Sequence, residues 1–446
     1  MSNPLRIANG AGFLGDSLSA PRRLVEGAQV DYLTLEYLAE LTMSILARSR
    51  EKDPRAGYAQ DFLLVLADLV PALKAQPQLK IVTNAGGMNP LSCAAAAAQL
   101  LANAGLGDTR IGVVSGDDIL TQLPELQTQQ QVWDAETQQP LDDSVAQNFV
   151  SANAYLGAQP IVEALAQDTR IVITGRVADA SLTVGPAMQE LGGAWDDWDR
   201  LAAFSVAGHL IECGAQVTGG YATDWAQYDL HNIGYPIAEI EADGTTTITK
   251  PAGTGGAVNR RTVIEQLTYE IGDPRHYLTP DVDVDFTTVH VTECGIDRVR
   301  VSGATGRAAP PTYKVSAAQR DRQTATGELL VYGRDAIEKA QACTTLLQQR
   351  LGSAVQLFAE LLGSGAGVPL RQCVASPEVV LRLTAVGDAG AFARELASLI
   401  TSGPAGLAGY AAGRPAVRAM FRYQPLLVNK EAIRPQVEVR AARDWV

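Results

Sequence analysis

The stretch around residues 209–220 combines side chains that can move protons with a glycine-rich turn. His209, Glu212 and Cys213 are three to four residues apart, so a predicted helix over about 199–213 places them on one face. Histidine is the side chain most easily tuned for proton transfer near neutral pH. We therefore predict that His209 or Glu212 carries a proton in catalysis. The alternative is that His209 is a hydrogen-bonded interior residue and Cys213 a small apolar one.

The same helix also offers metal-ligand types. Imidazole, carboxylate and thiolate all bind zinc. Adjacent helical residues point about 100° apart, so Glu212 and Cys213 are poorly placed to share one ion. His209 with Cys213 is the better pair for a divalent metal, and a third ligand must come from elsewhere. The sequence leaves the metal and any other cofactor unknown.

Two opposite charges follow the apolar, β-branched run IVIT, which is typical of a buried strand. Arg176 is suited to bind a carboxylate or phosphate, and Asp179 to carry or position a proton. The alternatives are that they pair with each other, or that Asp179 caps the next helix.

Two further segments have the composition of anion sites. Asn84, Gly86 and Gly87 form a predicted turn before a helix whose N-terminus can hold an anion. The segment 250–256, KPAGTGG, resembles a phosphate nest, in which we predict substrate contacts from Lys250, Thr254 and Gly255. It lacks the residue order of a P-loop, and a plain loop is the alternative in both segments.

The glycines at positions 10, 12 and 15 match a dinucleotide fingerprint by letter, with Asp31 or Glu36 as a ribose partner. Asp16 follows at once, and its negative charge would face the pyrophosphate. We therefore predict that the turn brings Asp16 to a substrate, and we keep an NAD-dependent oxidoreductase as an alternative.

Strands alternate with helices through the first half of the chain, and this predicts an α/β fold with a mostly parallel wound sheet. The predicted strands are 5–10, 30–38, 79–87, 110–118 and 170–175, and the predicted helices include 58–74, 90–104 and 148–165. Pro71 should end or kink the helix over 58–74. Each strand ends in small or polar residues. Because ligands bind beyond the carboxyl ends of such strands, we expect one composite site there.

After about residue 230 the pattern changes to hairpins, and then to a mixture of strands and helices. This predicts a smaller α+β C-terminal domain over 231–446, after a parallel α/β domain over 1–230 that carries the site, with the boundary placed to within about twenty residues.

The 446 residues carry a formal net charge of −13, which argues against nucleic acid or an anionic membrane as partner. Five scattered cysteines fit reduced thiols, and no apolar run is long enough to cross a bilayer. We expect a cytoplasmic homo-oligomer that acts on a small acidic molecule.

Seven separated segments, in this order, resemble the acyclic terpene utilisation (AtuA-like) protein family: IANGAGFLGDS, VDYLTLEYLAELTMSILAR, IVTNAGGMNP, ITGRVADASLTVGP, AGHLIECGAQVTGG, KPAGTGGAV and TSGPAGLAGY. The resemblance covers almost the whole chain. It implies a place beside acyl-CoA carboxylases and enoyl-CoA hydratases in branched terpenoid catabolism, and it supplies no catalytic residues.

Residues and resemblance together favour an enzyme of branched-acid or acyl-CoA catabolism. It would abstract a proton in a hydratase, dehydratase or lyase reaction, with a CoA thioester as one form of its substrate. Arg176 and Lys250 would hold the anionic part of the substrate. The alternatives are a non-catalytic subunit that binds an acyl-CoA or a partner enzyme, and the NAD-dependent oxidoreductase.

Overall fold

The computed structural model describes residues 3–141, 148–365 and 376–446. The described strands are β1 (Leu5–Asn9), β2 (Tyr32–Leu35), β3 (Lys80–Thr83), β4 (Arg110–Ser115), β5 (Val132–Asp134), β6 (Phe149–Ala154), β7 (Ile171–Thr174), β8 (Ile237–Ile240), β9 (Thr246–Thr249), β10 (Tyr277–Leu278), β11 (Asp283–Asp285), β12 (His290–Gly295), β13 (Arg298–Ser302), β14 (Thr305–Arg307), β15 (Thr312–Tyr332), β16 (Val355–Leu362), β17 (Glu378–Gly387), β18 (Leu407–Tyr410), β19 (Arg418–Asn429) and β20 (Gln436–Ala441).

The described helices are α1 (Ala20–Gly27), α2 (Glu40–Lys52), α3 (Asp61–Ala75), α4 (Pro90–Asn103), α5 (Leu123–Thr128), α6 (Gln159–Leu165), α7 (Ser181–Leu191), α8 (Trp198–Glu212), α9 (Arg260–Leu267), α10 (Ala336–Leu351) and α11 (Ala389–Ser402). The result is a mixed α/β structure with several sheets. Within the described ranges, no helix has the length and apolar character needed to span a membrane.

A parallel core of five adjacent strands, in the order β1, β2, β3, β7, β4, positions the site. Successive side chains on each strand point to opposite faces: Ile171 and Ile173 belong to the core that includes α1, α3 and α4, and Val172 belongs to the core that includes α6, α7 and α8. Helices therefore cover both faces. Because the five strands run in the same direction, their carboxyl ends share one edge, as predicted.

Antiparallel strands extend this core on both sides, so the prediction of a mostly parallel sheet is confirmed only in part. Strand β8 pairs with β1, and β9, β13 and β12 follow outward from it. Strand β20 pairs with β4 on the opposite side. The hairpin between β8 and β9 is so short that it can only reverse the chain, which makes that pair antiparallel.

Three local predictions need correction. The segment predicted as a helix over 148–165 contains β6, and α6 begins only at Gln159. The strand predicted over 30–38 ends at Leu35, and α2 follows it. Helix α3 continues past Pro71 to Ala75, because its buried leucine face packs against the sheet and outweighs one lost hydrogen bond.

The chain forms two compact units, residues 1–318 with 423–446, and residues 319–422. In the second unit, antiparallel β16, β17 and β15 pack one face against α10 and α11 through a core that includes Leu347, Leu383 and Phe392. In the first unit, β8 and β9 lie beyond residue 230 and still extend the sheet of β1. These units are a different division from the domain boundary at 230/231, which stays a prediction.

Candidate active site

The carboxyl edge of the parallel core is tied to the last turn of α8. Asn9, the last residue of β1, donates from its side-chain amide to the carbonyl oxygens of Ile211 at 2.6 Å and Glu212 at 2.7 Å. Both carbonyls lie in the last turn of the helix, where regular intrahelical partners run out, and the amide supplies a donor to each of them although Ile211 also accepts from the Cys213 N–H. The strand edge thereby fixes the position of the Glu212 backbone.

Arg176 is the central cation of this edge, and it is buried, with 1% of its surface exposed. Its Nη1 donates to the carbonyl oxygen of Leu38 at 2.7 Å, and its Nη2 donates to the Asp179 carboxylate at 2.5 Å. Its guanidinium lies 4.0 Å from the ring centroid of Tyr155. Arg176 therefore positions Asp179, and it is not among the residues that line the two cavities described below.

A second buried carboxylate supports the Arg176 backbone. Asp117 accepts hydrogen bonds from the Arg176 N–H at 2.9 Å and from the Asn153 side chain at 2.8 Å. Burial raises the pKa of Asp117 to about 6, although both hydrogen bonds act to lower it. A Cβ at Gly175 would lie 2.2 Å from Asp117 Oδ1, so this turn requires glycine.

His209 and Glu212 form a buried pair on α8. The His209 Nδ1 lies 3.2 Å from Glu212 Oε1, and its Nε2 lies 3.0 Å from the carbonyl oxygen of Gln266. A carbonyl can only accept, so Nε2 carries a hydrogen, and the proton that titrates is the one between Nδ1 and Oε1. The His209 ring also packs against Tyr277 and Phe286.

The pair retains its proton to a higher pH than usual. Burial raises the pKa of Glu212 to about 7, and the charges of Asp179 and Glu270 act in the same direction. Burial acts to lower the pKa of His209, but the hydrogen bond and charge of Glu212 outweigh it and raise that pKa. A carboxyl with such a pKa can donate or accept a proton near neutrality.

These groups face a cavity of about 660 Å³. Its wall carries three carboxyl side chains, one histidine, one lysine and two tyrosines: Asp179, Glu212, Glu270, His209, Lys314, Tyr155 and Tyr277. Glu212 Oε2 is buried, and no described residue donates a hydrogen bond to it. The Lys314 Nζ lies 4.9 Å from the centroid of the Tyr155 ring, and the Arg176 guanidinium contacts the same ring. The arrangement combines an acid–base group with a positive charge.

The turn after β3 is a packing feature. Asn84 accepts from the Tyr37 N–H at 2.8 Å and donates to the Glu36 carboxylate. A Cβ at Gly86 would lie 2.5 Å from the carbonyl oxygen of Thr174, and Gly87 has a φ of +49°. None of Asn84, Gly86 and Gly87 is among the residues that line the 660 Å³ cavity.

Asp16 and the segment 250–256 also lie away from this cavity. Asp16 folds back on its own loop, where it accepts from the Gly12 N–H at 2.8 Å and from the Tyr235 hydroxyl at 2.5 Å. The carboxylate thus occupies a backbone amide that a dinucleotide phosphate would need.

Lys250 is likewise engaged internally. Its Nζ donates to the carbonyl oxygen of Thr254 at 2.7 Å and pairs with Asp297 at 3.1 Å. A Cβ at Gly255 would lie 2.1 Å from the carbonyl oxygen of Asp229. The substrate contacts predicted for Lys250, Thr254 and Gly255 would require this loop to rearrange.

Cys213 does not complete a metal site with the residues around it. In the parts of the chain that the structure describes, no group of three or more His, Cys, Asp or Glu side chains is placed to hold a metal ion. Burial and the charge of Glu212 raise the pKa of Cys213 and keep its thiol protonated. Both nitrogens of His209 already have partners.

Comparison with known proteins settles the family. The model of the acyclic terpene utilisation family protein AtuA matches residues 5–439. The chain belongs to this family. No curated protein and no solved structure matches this AtuA-family chain. The match confirms the resemblance inferred from the seven segments.

Sequence reasoning missed several residues that line the cavity of the AtuA-family protein. Tyr155 directly follows β6, in a segment interpreted as helix, and Lys314 lies near the start of β15. Glu270 follows α9 at a φ of +58°. The one available signal was the alternation of polar and apolar residues in the segment that starts at Thr312, which is typical of a strand with one polar face.

Proposed function

We propose that this AtuA-family protein is an enzyme of acyclic terpene utilisation that moves a proton on a branched carboxylic acid or its thioester, in a hydratase, dehydratase or lyase step. One observation carries the proposal. Glu212 has a pKa of about 7 and lies in the wall of a 660 Å³ cavity, with Oε2 buried and without a described partner. Such a carboxyl is suited to general acid–base work near neutrality.

The rest of the cavity fits this chemistry. Proton removal beside a carbonyl places negative charge on the substrate oxygen, and a cation stabilises that charge best where water is excluded. Lys314 supplies positive charge at the cavity wall. When Glu212 takes a proton on Oε2, the His209 Nδ1 still faces Oε1 and holds the carboxyl in place.

Asp179 is the second acid–base candidate. Its carboxylate is held by Arg176 on one side and faces the cavity on the other. Two carboxyl groups in one cavity, one with a raised pKa and one paired with a guanidinium, can divide the acid and base roles of a hydration or elimination. We assign the base to Glu212 and the second proton transfer to Asp179.

Deuterium exchange tests the proposal without knowledge of the complete reaction. Protein in D2O is incubated with 3-methylbutanoic and 3-methylbut-2-enoic acids, each free and as its CoA thioester, and mass spectrometry follows label at carbon. We expect exchange with at least one probe, and Glu212→Gln to slow it about 10²-fold or more. Glu270→Gln is the comparison variant, because this exposed carboxyl lines the same cavity without a histidine partner and acts on Glu212 only through its charge, so we expect a much smaller change than with Glu212→Gln.

Exchange that is equal in wild type and Glu212→Gln would contradict the assignment. Stabilisation of the wild type by a probe, without any exchange of its carbon-bound hydrogen, would instead support the non-catalytic binding subunit. Asp16 weighs against the NAD-dependent alternative, because its carboxylate already accepts a hydrogen bond from the Gly12 N–H.

A further inference from the structure

A second cavity, of about 450 Å³, adjoins the candidate active site. Pro280 lines both cavities and forms part of the wall between them. The wall of the second cavity is mixed: polar side chains, among them Gln159 and Glu163, stand beside a set of aromatic and apolar ones, Trp195, Trp198, Tyr313, Pro160, Ile433 and Pro435. Walls of this kind hold a flat or apolar group, and the proposed proton chemistry does not use them.

One lysine enters this cavity. Lys430 begins a short turn after β19, and its backbone N–H donates to the carbonyl oxygen of Pro311 at 3.0 Å. Its Nζ donates to the carbonyl oxygen of Pro280 at 2.6 Å and lies 5.3 Å from the Tyr313 ring centroid. The amine is thus held in a fixed position between an aromatic face and a backbone carbonyl.

Lys430 has no carboxylate partner at salt-bridge distance among the described residues, whereas Lys250 pairs with Asp297 at 3.1 Å. Asp281 also lines the cavity, but its carboxylate is directed to the Ala158 N–H and the Ser181 hydroxyl. Burial lowers the pKa of Lys430, and the charge of Asp281 only partly opposes this. A partly desolvated lysine beside aromatic side chains and without an ion-pair partner has the properties of an amine nucleophile.

We propose that Lys430 Nζ forms an imine with an aldehyde or ketone whose aromatic or apolar group lies between Trp195, Trp198 and Tyr313. The uncharged amine adds to the carbonyl carbon as the C=O π bond breaks, and one amine hydrogen moves to the oxygen, which gives a carbinolamine. The nitrogen then loses its second hydrogen, the oxygen leaves as water, and a C=N bond replaces C=O. The nitrogen lone pair can take up a proton, and the resulting positive charge faces the Pro280 carbonyl oxygen and Asp281.

Reductive trapping tests this proposal on the wild-type protein. Benzaldehyde is added with sodium cyanoborohydride near neutral pH, and the reduced benzyl adducts are mapped by peptide mass spectrometry over time. Lys74, an exposed lysine at the end of α3, is the internal reference. We expect Lys430 to be labelled about tenfold faster than Lys74 or more, because the cavity adds proximity to the reactivity of a desolvated amine.

Two variants sharpen the test. Lys430→Arg should remove the fast adduct and leave the rate at Lys74 unchanged. Ile433→Trp keeps the lysine but fills the cavity, so it should slow labelling at Lys430 alone. Labelling at Lys430 that is no faster than at Lys74 in the wild type would overturn the proposal. This result would not affect the role of Glu212, which deuterium exchange tests separately.

Discussion

Replacing His209 by alanine should test how the cavity wall is built. The ring is 1% exposed and packs against Tyr277 and Phe286, with centroids at 5.7 and 5.4 Å. Losing two such aromatic contacts costs about 0.5–1.5 kcal/mol each. Removal also leaves the buried Glu212 carboxyl without its described partner, at a further cost of about 1–3 kcal/mol. We expect His209→Ala to lower the free energy of unfolding by about 2–6 kcal/mol.

Tryptophan fluorescence is the appropriate assay, because all five tryptophans of the chain belong to the compact unit that contains His209. Urea unfolding followed by this signal reports that unit alone. His231→Ala is the matched control: His231 is exposed, and we expect a change within about 0.5 kcal/mol. If the free energy of unfolding of His209→Ala lies within about 1 kcal/mol of the wild-type value, the reasoning is refuted, because a buried and hydrogen-bonded ring should contribute more than that. If His209→Ala is folded yet inactive in deuterium exchange, His209 also has a catalytic role.

Two further predictions concern the same region. Because the folded state raises the pKa of Glu212 from 4.5 to about 7, it holds a proton that the unfolded chain releases, and the unfolding free energy should fall as pH rises across this interval. His209, whose pKa is also raised, acts in the same direction. Urea unfolding at about pH 5 and about pH 7 should therefore show a smaller fall in the free energy of unfolding for Glu212→Gln than for the wild type, by up to about 3 kcal/mol. An equal fall in both proteins would count against the raised pKa of Glu212. Gly12→Ala should cost about 1–3 kcal/mol in thermal or urea unfolding, since its Cβ would lie 2.6 Å from the Cys213 carbonyl carbon. Gly272→Ala is the control: a Cβ at this position would have no atom within 4 Å, so the free energy of unfolding should hardly change. Equal destabilisation by Gly12→Ala and Gly272→Ala would contradict this account.

The parts of the fold that local sequence determines were predictable. A short β-branched run that ends in glycine predicted β7 nearly to the residue, and a similar run predicted the start of β3, although the strand predicted over 79–87 ends at Thr83. Long helices with regular apolar spacing, such as α10 and α11, were equally clear. The prediction for β6 failed because the alternation in Phe149–Ala154 is short and relies on alanine, a helix former, and its strand depends on pairing with the distant β15.

Some residues of the candidate site could likewise be predicted from local sequence, and others could not. Asp179, His209 and Glu212 line one cavity, as their positions at a strand end and on one helix predicted, although their roles stay predictions. Lys314 could not be found, because it comes from a strand more than a hundred residues further along the chain. Asp16 has a side chain that suits a substrate site, but it hydrogen-bonds to its own loop. Sequence alone cannot distinguish a carboxylate that contacts a substrate from one that stabilises a loop.

The late pairing of β20 with β4 has a consequence for synthesis of the chain. Residues 423–446 complete the first compact unit, but the ribosome makes them only after all of residues 319–422. Until then, a nascent chain exposes the β4 edge of its largest sheet, and it lacks Leu427 and Lys430 from the walls of the two cavities. Exposed strand edges invite pairing with other chains. Cells that make this protein therefore carry an unpaired strand edge through that interval, and the candidate active site can be complete only after translation passes Leu427, the second cavity only after it passes Pro435.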